Sequence, residues 1–197
     1  MLLVLPRNDR GFWGKVRNGK AGFVRLSLPS LAAITPPDWE VRIHDSRVEP
    51  PDYDQKADLV GITAFTAEIP SAYSIADEFR KRGAPVVMGG VHVSALPEEA
   101  LRHSDAVVIG EAELVWETLL RDVEQGNLKP LYRSETYCDM RNMGIPRRDL
   151  LERDMYVSCF HTVQATRGCP FDCDYCAVAG VFGRTFRTRP VSEVIDE

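Results

Sequence analysis

Cys169, Cys173 and Cys176 stand in the run Cys169-Pro170-Phe171-Asp172-Cys173-Asp174-Tyr175-Cys176. Thiolates so close together on one loop suit a metal. A cubane iron–sulfur cluster has four irons, and each normally takes one thiolate. Three thiolates leave one iron open to a small molecule, and that opening separates a reactive cluster from an electron carrier. Zinc competes for such donors but usually takes four of them, in two spaced pairs. Upstream, only Cys138, Cys159 and His161 could complete a zinc set. Disulfides fit less well. Five cysteines is an odd count, and the pattern is not that of a small secreted scaffold. The apolar run Met1–Leu5 is too short for a signal peptide and is ended by Pro6-Arg7-Asn8-Asp9.

The cysteine loop needs a scaffold, and the composition can supply one. Of 197 residues, 44% are hydrophobic, enough to bury one or two cores. No stretch approaches the roughly 18 to 20 apolar residues of a membrane span. The reading is a cytoplasmic protein without a membrane partner. A net charge of −5 and a pI near 5.5 argue against nucleic acid as the main partner, which wants a basic face. Arg184, Arg187 and Arg189 form a local basic run just after the loop. Solvated charge and anion binding or cluster electrostatics are both open readings of it.

Upstream, short apolar runs alternate with helical patterns. Residues 2–5, 40–44, 59–63, 85–88 and 106–109 read as five strands. They are nearly continuous in Val, Ile and Leu, as in strands covered on both faces. Helical patterns lie at 26–34, 69–82, 97–103 and 114–124. The alternation predicts a doubly wound parallel α/β sheet over residues 1–125. Residues 126–158 read as a linker with a short strand near Leu131-Tyr132-Arg133. A new strand over 161–166 then leads through Arg167-Gly168 into the cysteine loop. After Pro190, Ser192 is a candidate N-cap of a helix that has room for only about two turns. Residues 159–197 therefore read as the truncated start of a second domain within a longer polypeptide.

In doubly wound sheets ligands bind beyond the carboxyl ends of the strands. Those ends carry Thr63-Ala64-Phe65-Thr66, Gly89-Gly90-Val91-His92 and Gly110-Glu111-Ala112-Glu113, besides the long segment 6–22. Glycine lets backbone approach a bulky ligand. His92 reads equally as a strand-end cap held by hydrogen bonds. Glu111 and Glu113 read as either ligand contacts or acids at a helix start. Cys138 and Cys159 read as small buried residues.

The Cys-x-x-x-Cys-x-x-Cys spacing, with Tyr175 directly before the last cysteine, resembles the radical S-adenosylmethionine (SAM) superfamily. With an α/β domain ahead of it, the whole chain resembles the N-terminal part of a cobalamin-dependent radical SAM enzyme of the methyltransferase-like class. Thr63 and Phe65 match that class's Ser-x-Leu segment, and Gly89-Gly90 matches the Gly-Gly beside the buried nucleotide tail. The resemblance implies a flavodoxin-like cobalamin-binding domain, a linker and the start of a radical SAM partial (β/α) barrel. It implies a [4Fe–4S] cluster on Cys169, Cys173 and Cys176, with SAM chelating the fourth iron and Tyr175 near the adenine. It also implies cobalamin contacts from Thr63, Phe65, Gly89, Gly90, His92, Gly110 and Glu111. The implied activity is methylation of an unactivated carbon in a small-molecule substrate, after a 5′-deoxyadenosyl radical abstracts hydrogen. A flavodoxin or ferredoxin would supply electrons. A non-methylating rearrangement or cyclisation is the alternative, as is a cobalamin-binding module, catalytically inactive as this piece alone.

One departure stands out. Where many cobalamin proteins have Asp-x-His-x-x-Gly, this chain has Arg17-Asn18-Gly19-Lys20-Ala21-Gly22. That implies cobalamin bound with its own base detached and without a histidine from this position. Phe12 and Trp13, in the same loop, could cover a corrin face or simply anchor the loop. Methylthiotransferases share the domain order but place three further cysteines in the first domain. The first 137 residues here have none. Receiver domains need a phosphorylatable aspartate where this chain has Thr63-Ala64-Phe65.

Overall fold

The computed structural model describes residues 1–8, 20–141, 143–157 and 161–197. Phe12, Trp13, Arg17, Asn18, Gly19 and Cys159 lie outside the described residues.

Six short strands form one parallel sheet: β1 (Leu2–Leu5), β2 (Arg42–Asp45), β3 (Val60–Thr63), β4 (Val86–Gly89), β5 (Ala106–Ile109) and β6 (Leu131–Arg133). Their order is β2-β1-β3-β4-β5-β6. The first five follow the flavodoxin-like order, with the reversal between β1 and β3. The sixth strand is the short one expected at Leu131-Tyr132-Arg133 within the linker, and it extends the sheet beyond the expected five. Three residues alone carry little strand signal, and pairing to β5 through Val107–Leu131, Val108–Tyr132 and Ile109–Arg133 decides their state.

Both faces of the sheet are covered, so its strands alternate between two cores rather than between core and water. Val4, Val60, Ile62, Val86 and Met88 point to one side. There they meet Ile69, Ala72, Ile75, Ala76 and Phe79 of α2 (Ile69–Lys81). This apolar stripe recurs at three- and four-residue steps, as an amphipathic helix requires. Two short helices, α3 (Val91–Ala95) and α4 (Pro97–Ala100), add Val93 and Ala100 to the same side. Leu3, Leu5, Val87, Ala106 and Val108 point the other way. They pack on α1 (Ser27–Ala33) and on Trp116, Leu119 and Leu120 of α5 (Trp116–Glu124). A Cβ at Gly61 would lie 2.8 Å from Leu3 Cδ2, so a larger residue there has to displace that side chain.

The C-terminal part is a small ribbon. β7 (Thr166–Arg167) pairs antiparallel with β8 (Arg187–Thr188), and α6 (Val178–Phe182) lies between them in sequence. The strand expected over 161–166 is thus reduced to two residues at its end. The last helix, α7 (Val191–Asp196), begins after Pro190. Ser192 lies inside it rather than capping it, and the capping position is taken by Pro190. Among the described residues, no helix is long and apolar enough to cross a membrane.

Candidate functional site: a cavity between the sheet and the cysteine-bearing ribbon

A cavity of about 760 Å³ opens at the carboxyl ends of β3, β4 and β5. That volume lies within the roughly 300–1,000 Å³ typical of small-molecule and cofactor sites. Thr63, Phe65, Gly89, Gly90, Gly110 and Glu111 all line it. His92 does not. Its Nδ1 lies 3.1 Å from Thr66 Oγ1, and its Nε2 lies 3.5 Å from Glu99 Oε1. His92 therefore sits behind the wall, joining the loop after β3 to the loop after β4. No histidine is among the described residues of the lining.

The floor is built from backbone. Gly90 has φ +100°, and a Cβ there would lie 2.8 Å from Thr63 Oγ1 and 2.9 Å from the Ala64 carbonyl. Only glycine accepts both the dihedral and the approach. Ser94 ties this floor to the next loop. Its hydroxyl donates to the Gly90 carbonyl at 2.8 Å and accepts from the Gly110 N–H at 2.9 Å.

One end of the cavity is charged. Glu68 is buried and accepts from the Phe65 N–H at 3.1 Å. It also receives both terminal nitrogens of Arg25, one at 2.8 Å. The Arg25 guanidinium stands 4.9 Å from the centre of the Phe65 ring, within cation–π range. Arg25 and Glu68 were not singled out from the sequence. Glu68 had a legible signal, an acid three residues after Phe65 at a helix entrance, the spacing of a capping box.

The opposite wall comes from the ribbon: Gln164, Arg167, Val181 and Phe182. Glu111 joins the two walls. Arg187 donates to Glu111 Oε1 at 2.6 Å and Oε2 at 3.0 Å, and Arg167 donates to Oε1 at 3.3 Å. The Cys138 N–H donates to Oε2 at 2.8 Å. Arg167 also pairs with Glu113 at 2.6 Å. Burial would raise the Glu111 pKa, but the Arg187, Cys138 and Arg167 contacts outweigh it and hold the carboxyl below its ordinary value of 4.5. The acids at 111 and 113 therefore do not serve a helix start, since α5 begins only at Trp116. Arg187 is likewise not solvated, and Arg189 is buried against Glu197. Of the basic run only Arg184 is exposed, 2.5 Å from Asp172.

The cysteine loop hangs from this ribbon. Cys169 is half-buried, and Cys173 and Cys176 are exposed. The Cys169 N–H donates to the Gly183 carbonyl at 3.1 Å, and the Cys176 N–H to the Cys173 carbonyl at 3.0 Å. Gly168 has φ +84°, and a Cβ there would lie 2.1 Å from the Thr185 carbonyl oxygen. Tyr175 is 93% exposed. No three His, Cys, Asp or Glu side chains are gathered to hold a metal among the described residues. Cys138 is buried apart from the loop, and burial first, then Glu113, pushes its thiol up to about 11.

Residues 23–120, which contain the floor and the charged end of the cavity, match the B12 binding domain family model. This segment belongs to the B12-binding domain family. Relatives of the chain include the bacteriochlorophyllide d C-8(2)-methyltransferase of Chlorobaculum tepidum, 36% identical over 174 residues. That match covers 83% of this chain and 38% of the relative. The bacteriochlorophyllide d C-12(1)-methyltransferase of the same organism is 32% identical over 100% of this chain and 43% of its own length. The hopanoid C-2 methylase of Rhodopseudomonas palustris is 27% identical over 100% of this chain and 39% of its own. The chain thus spans about two fifths of the length of these relatives.

Proposed function

We propose that the chain is the N-terminal, cobalamin-carrying part of a radical SAM methyltransferase acting on an unactivated carbon of a small molecule. The observation that carries this reading is the cavity of a B12-binding domain walled on its far side by the ribbon that bears Cys169, Cys173 and Cys176. Relatives named as methyltransferases and a methylase support the reaction class.

The residues present fit the cofactors. Gly89, Gly90 and Gly110 put bare backbone on the cavity floor, where a large flat ligand can approach closely. Thr63 and Phe65 stand beside it. Cys169, Cys173 and Cys176 are three thiols free of disulfides, the right donors for three irons. The loop holds these thiols apart, so cluster binding must gather them and close it. Tyr175 is fully available to stack on the adenine of SAM. The cluster supplies the electron that cleaves SAM, and cobalamin supplies a transferable methyl group; a flavodoxin or ferredoxin of the cytoplasm is the reductant. The chain's own groups orient these cofactors and exclude water, as proteins do for cofactor chemistry.

The test has two arms. The chain is mixed with hydroxocobalamin, desalted and examined by visible spectroscopy. Separately it is loaded anaerobically with iron and sulfide, and its iron content is compared with that of a triple Cys→Ala variant. A retained base-off corrinoid and cysteine-dependent iron are expected. Loss of the corrinoid on desalting sinks the cobalamin assignment, and equal iron in both proteins sinks the cluster.

A further inference from the structure

Glu111 is a carboxylate with a side chain 1% exposed, and a buried charge is tolerated only when it is paired and hydrogen-bonded. Its partners come from three separate parts of the chain. Arg167 and Arg187 belong to the two strands of the ribbon, and Cys138 belongs to the connection between sheet and ribbon. Arg167 stands two residues before Cys169. Arg187 also donates to the Phe182 carbonyl at 3.0 Å, beside Gly183, whose own carbonyl accepts from Cys169. Glu111 is thus one carboxylate between the cavity rim and both ends of the segment that carries the cysteines.

We propose that Glu111 is the positioning residue that registers the cysteine loop against the B12 cavity, acting through Arg187 and Arg167, so that filling the cavity and ordering the loop are coupled. The coupling rests on the proposed cobalamin assignment. Its physical basis is that the clasp and the cavity share walls. Glu111 and Glu113 line one side, and Arg167, Val181 and Phe182 line the other. A molecule that fills the cavity touches both sides only while the clasp is closed. Such a molecule stabilises the closed arrangement, and by linkage the closed arrangement raises its affinity by the same factor.

The experiment is hydrogen–deuterium exchange on the whole chain with and without hydroxocobalamin, for wild type, Glu111→Gln, Arg187→Gln, the double variant and Glu111→Asp. Hydroxocobalamin should slow exchange across residues 166–188 in wild type. In Glu111→Gln that slowing should vanish, with exchange in this segment faster by on the order of tenfold even without corrinoid, in the usual 5–150-fold range of coupling between sites. Without corrinoid, peptides covering α2 and β4 should exchange in Glu111→Gln as they do in wild type. The double variant should be no worse than the worse single one, and Glu111→Asp should recover part of the slowing. The coupling is overturned if Glu111→Gln binds corrinoid and still shows the full slowing, or if exchange rises equally throughout the chain. A wild type that binds no hydroxocobalamin overturns the proposed function and the coupling with it. That outcome is distinguishable from binding without coupling.

Discussion

Arg187 Nη2 lies 2.6 Å from Glu111 Oε1, and this pair crosses 76 residues of sequence to hold the cysteine-bearing ribbon against the rim of the cavity. The strength of the pair depends on the charge of the carboxyl. Its folded pKa is depressed below 4.5. A carboxylate with a lowered folded pKa contributes stability that is complete above its unfolded value and is lost as pH falls through the folded value. Glutamine has no such dependence. The Tm difference between wild type and Glu111→Gln should therefore be constant near neutrality and shrink once the pH drops below about 4.5. Thermal melts from pH 7 to pH 3 measure it. A difference that stays flat over that range would show that the charge on Glu111 contributes nothing.

The cysteines should divide by accessibility and charge state. The nucleophile in alkylation is the thiolate. Cys138 is buried with its thiol pushed up to about 11, so at pH 8 it is almost wholly protonated and shielded. Cys173 and Cys176 are exposed. Iodoacetamide mapping of the metal-free folded chain should label Cys173 and Cys176 first, Cys169 later, and Cys138 only after denaturation. Early labelling of Cys138 would mean that the connection between sheet and ribbon opens readily.

Much of this arrangement was legible in the residues, and the gaps have physical causes. The strands at 2–5, 60–63, 86–89 and 106–109 announce themselves because a strand covered on both faces is apolar at nearly every position, whereas the edge strand Arg42–Asp45 shows only the alternation of Val41 and Ile43 with polar residues. Their glycine-rich ends placed the cavity, since ligands gather at that edge of a doubly wound sheet. Helix α3 was missed because five residues hold too few turns to show a period. The roles of Glu111, Arg167 and Arg187 were missed for another reason. A buried ion pair between residues 76 apart is a property of the fold and leaves no local spacing, so Glu111 reads as a ligand contact or a helix-start acid and Arg187 as anion binding, cluster electrostatics or solvated charge. His92 illustrates the intermediate case. Its position after Gly-Gly was visible, but whether it faced the ligand or Thr66 depended on the turn of α3.

Ser94 offers a test of the cavity floor. Its hydroxyl links Gly90 to Gly110, two glycines at positive φ that line the cavity. Ser94→Ala removes both bonds and leaves the Gly110 N–H without its partner, a loss of about 1 kcal/mol. Corrinoid retention should fall with it, because the two loops are no longer held in register. Urea unfolding and a hydroxocobalamin titration measure the two effects. Unchanged affinity in a destabilised variant would show that the loops keep their register without Ser94.

Gly90 and Gly168 separate the two halves of the proposed site. Each has a positive φ, and each would place a Cβ under 3.0 Å from backbone or side-chain atoms. Alanine at such a position destabilises by more than the roughly 0.4–1 kcal/mol it gains where the backbone is compatible. The consequences should nevertheless differ, because the clashes fall on different partners. At Gly90 they are Thr63 and Ala64, in the cavity floor. At Gly168 they are Thr185 and Phe182, in the ribbon. Gly90→Ala should abolish corrinoid retention while leaving cysteine-dependent iron loading measurable. Gly168→Ala should lose iron and, because the loop and the cavity are coupled, weaken corrinoid retention only in part. Both variants are to be checked by circular dichroism for a retained sheet before loading. A Gly168→Ala chain that retains its sheet and loads iron like wild type would remove the reason for placing the cluster on this loop, since a Cβ 2.1 Å from the Thr185 oxygen cannot be accommodated without moving Cys169.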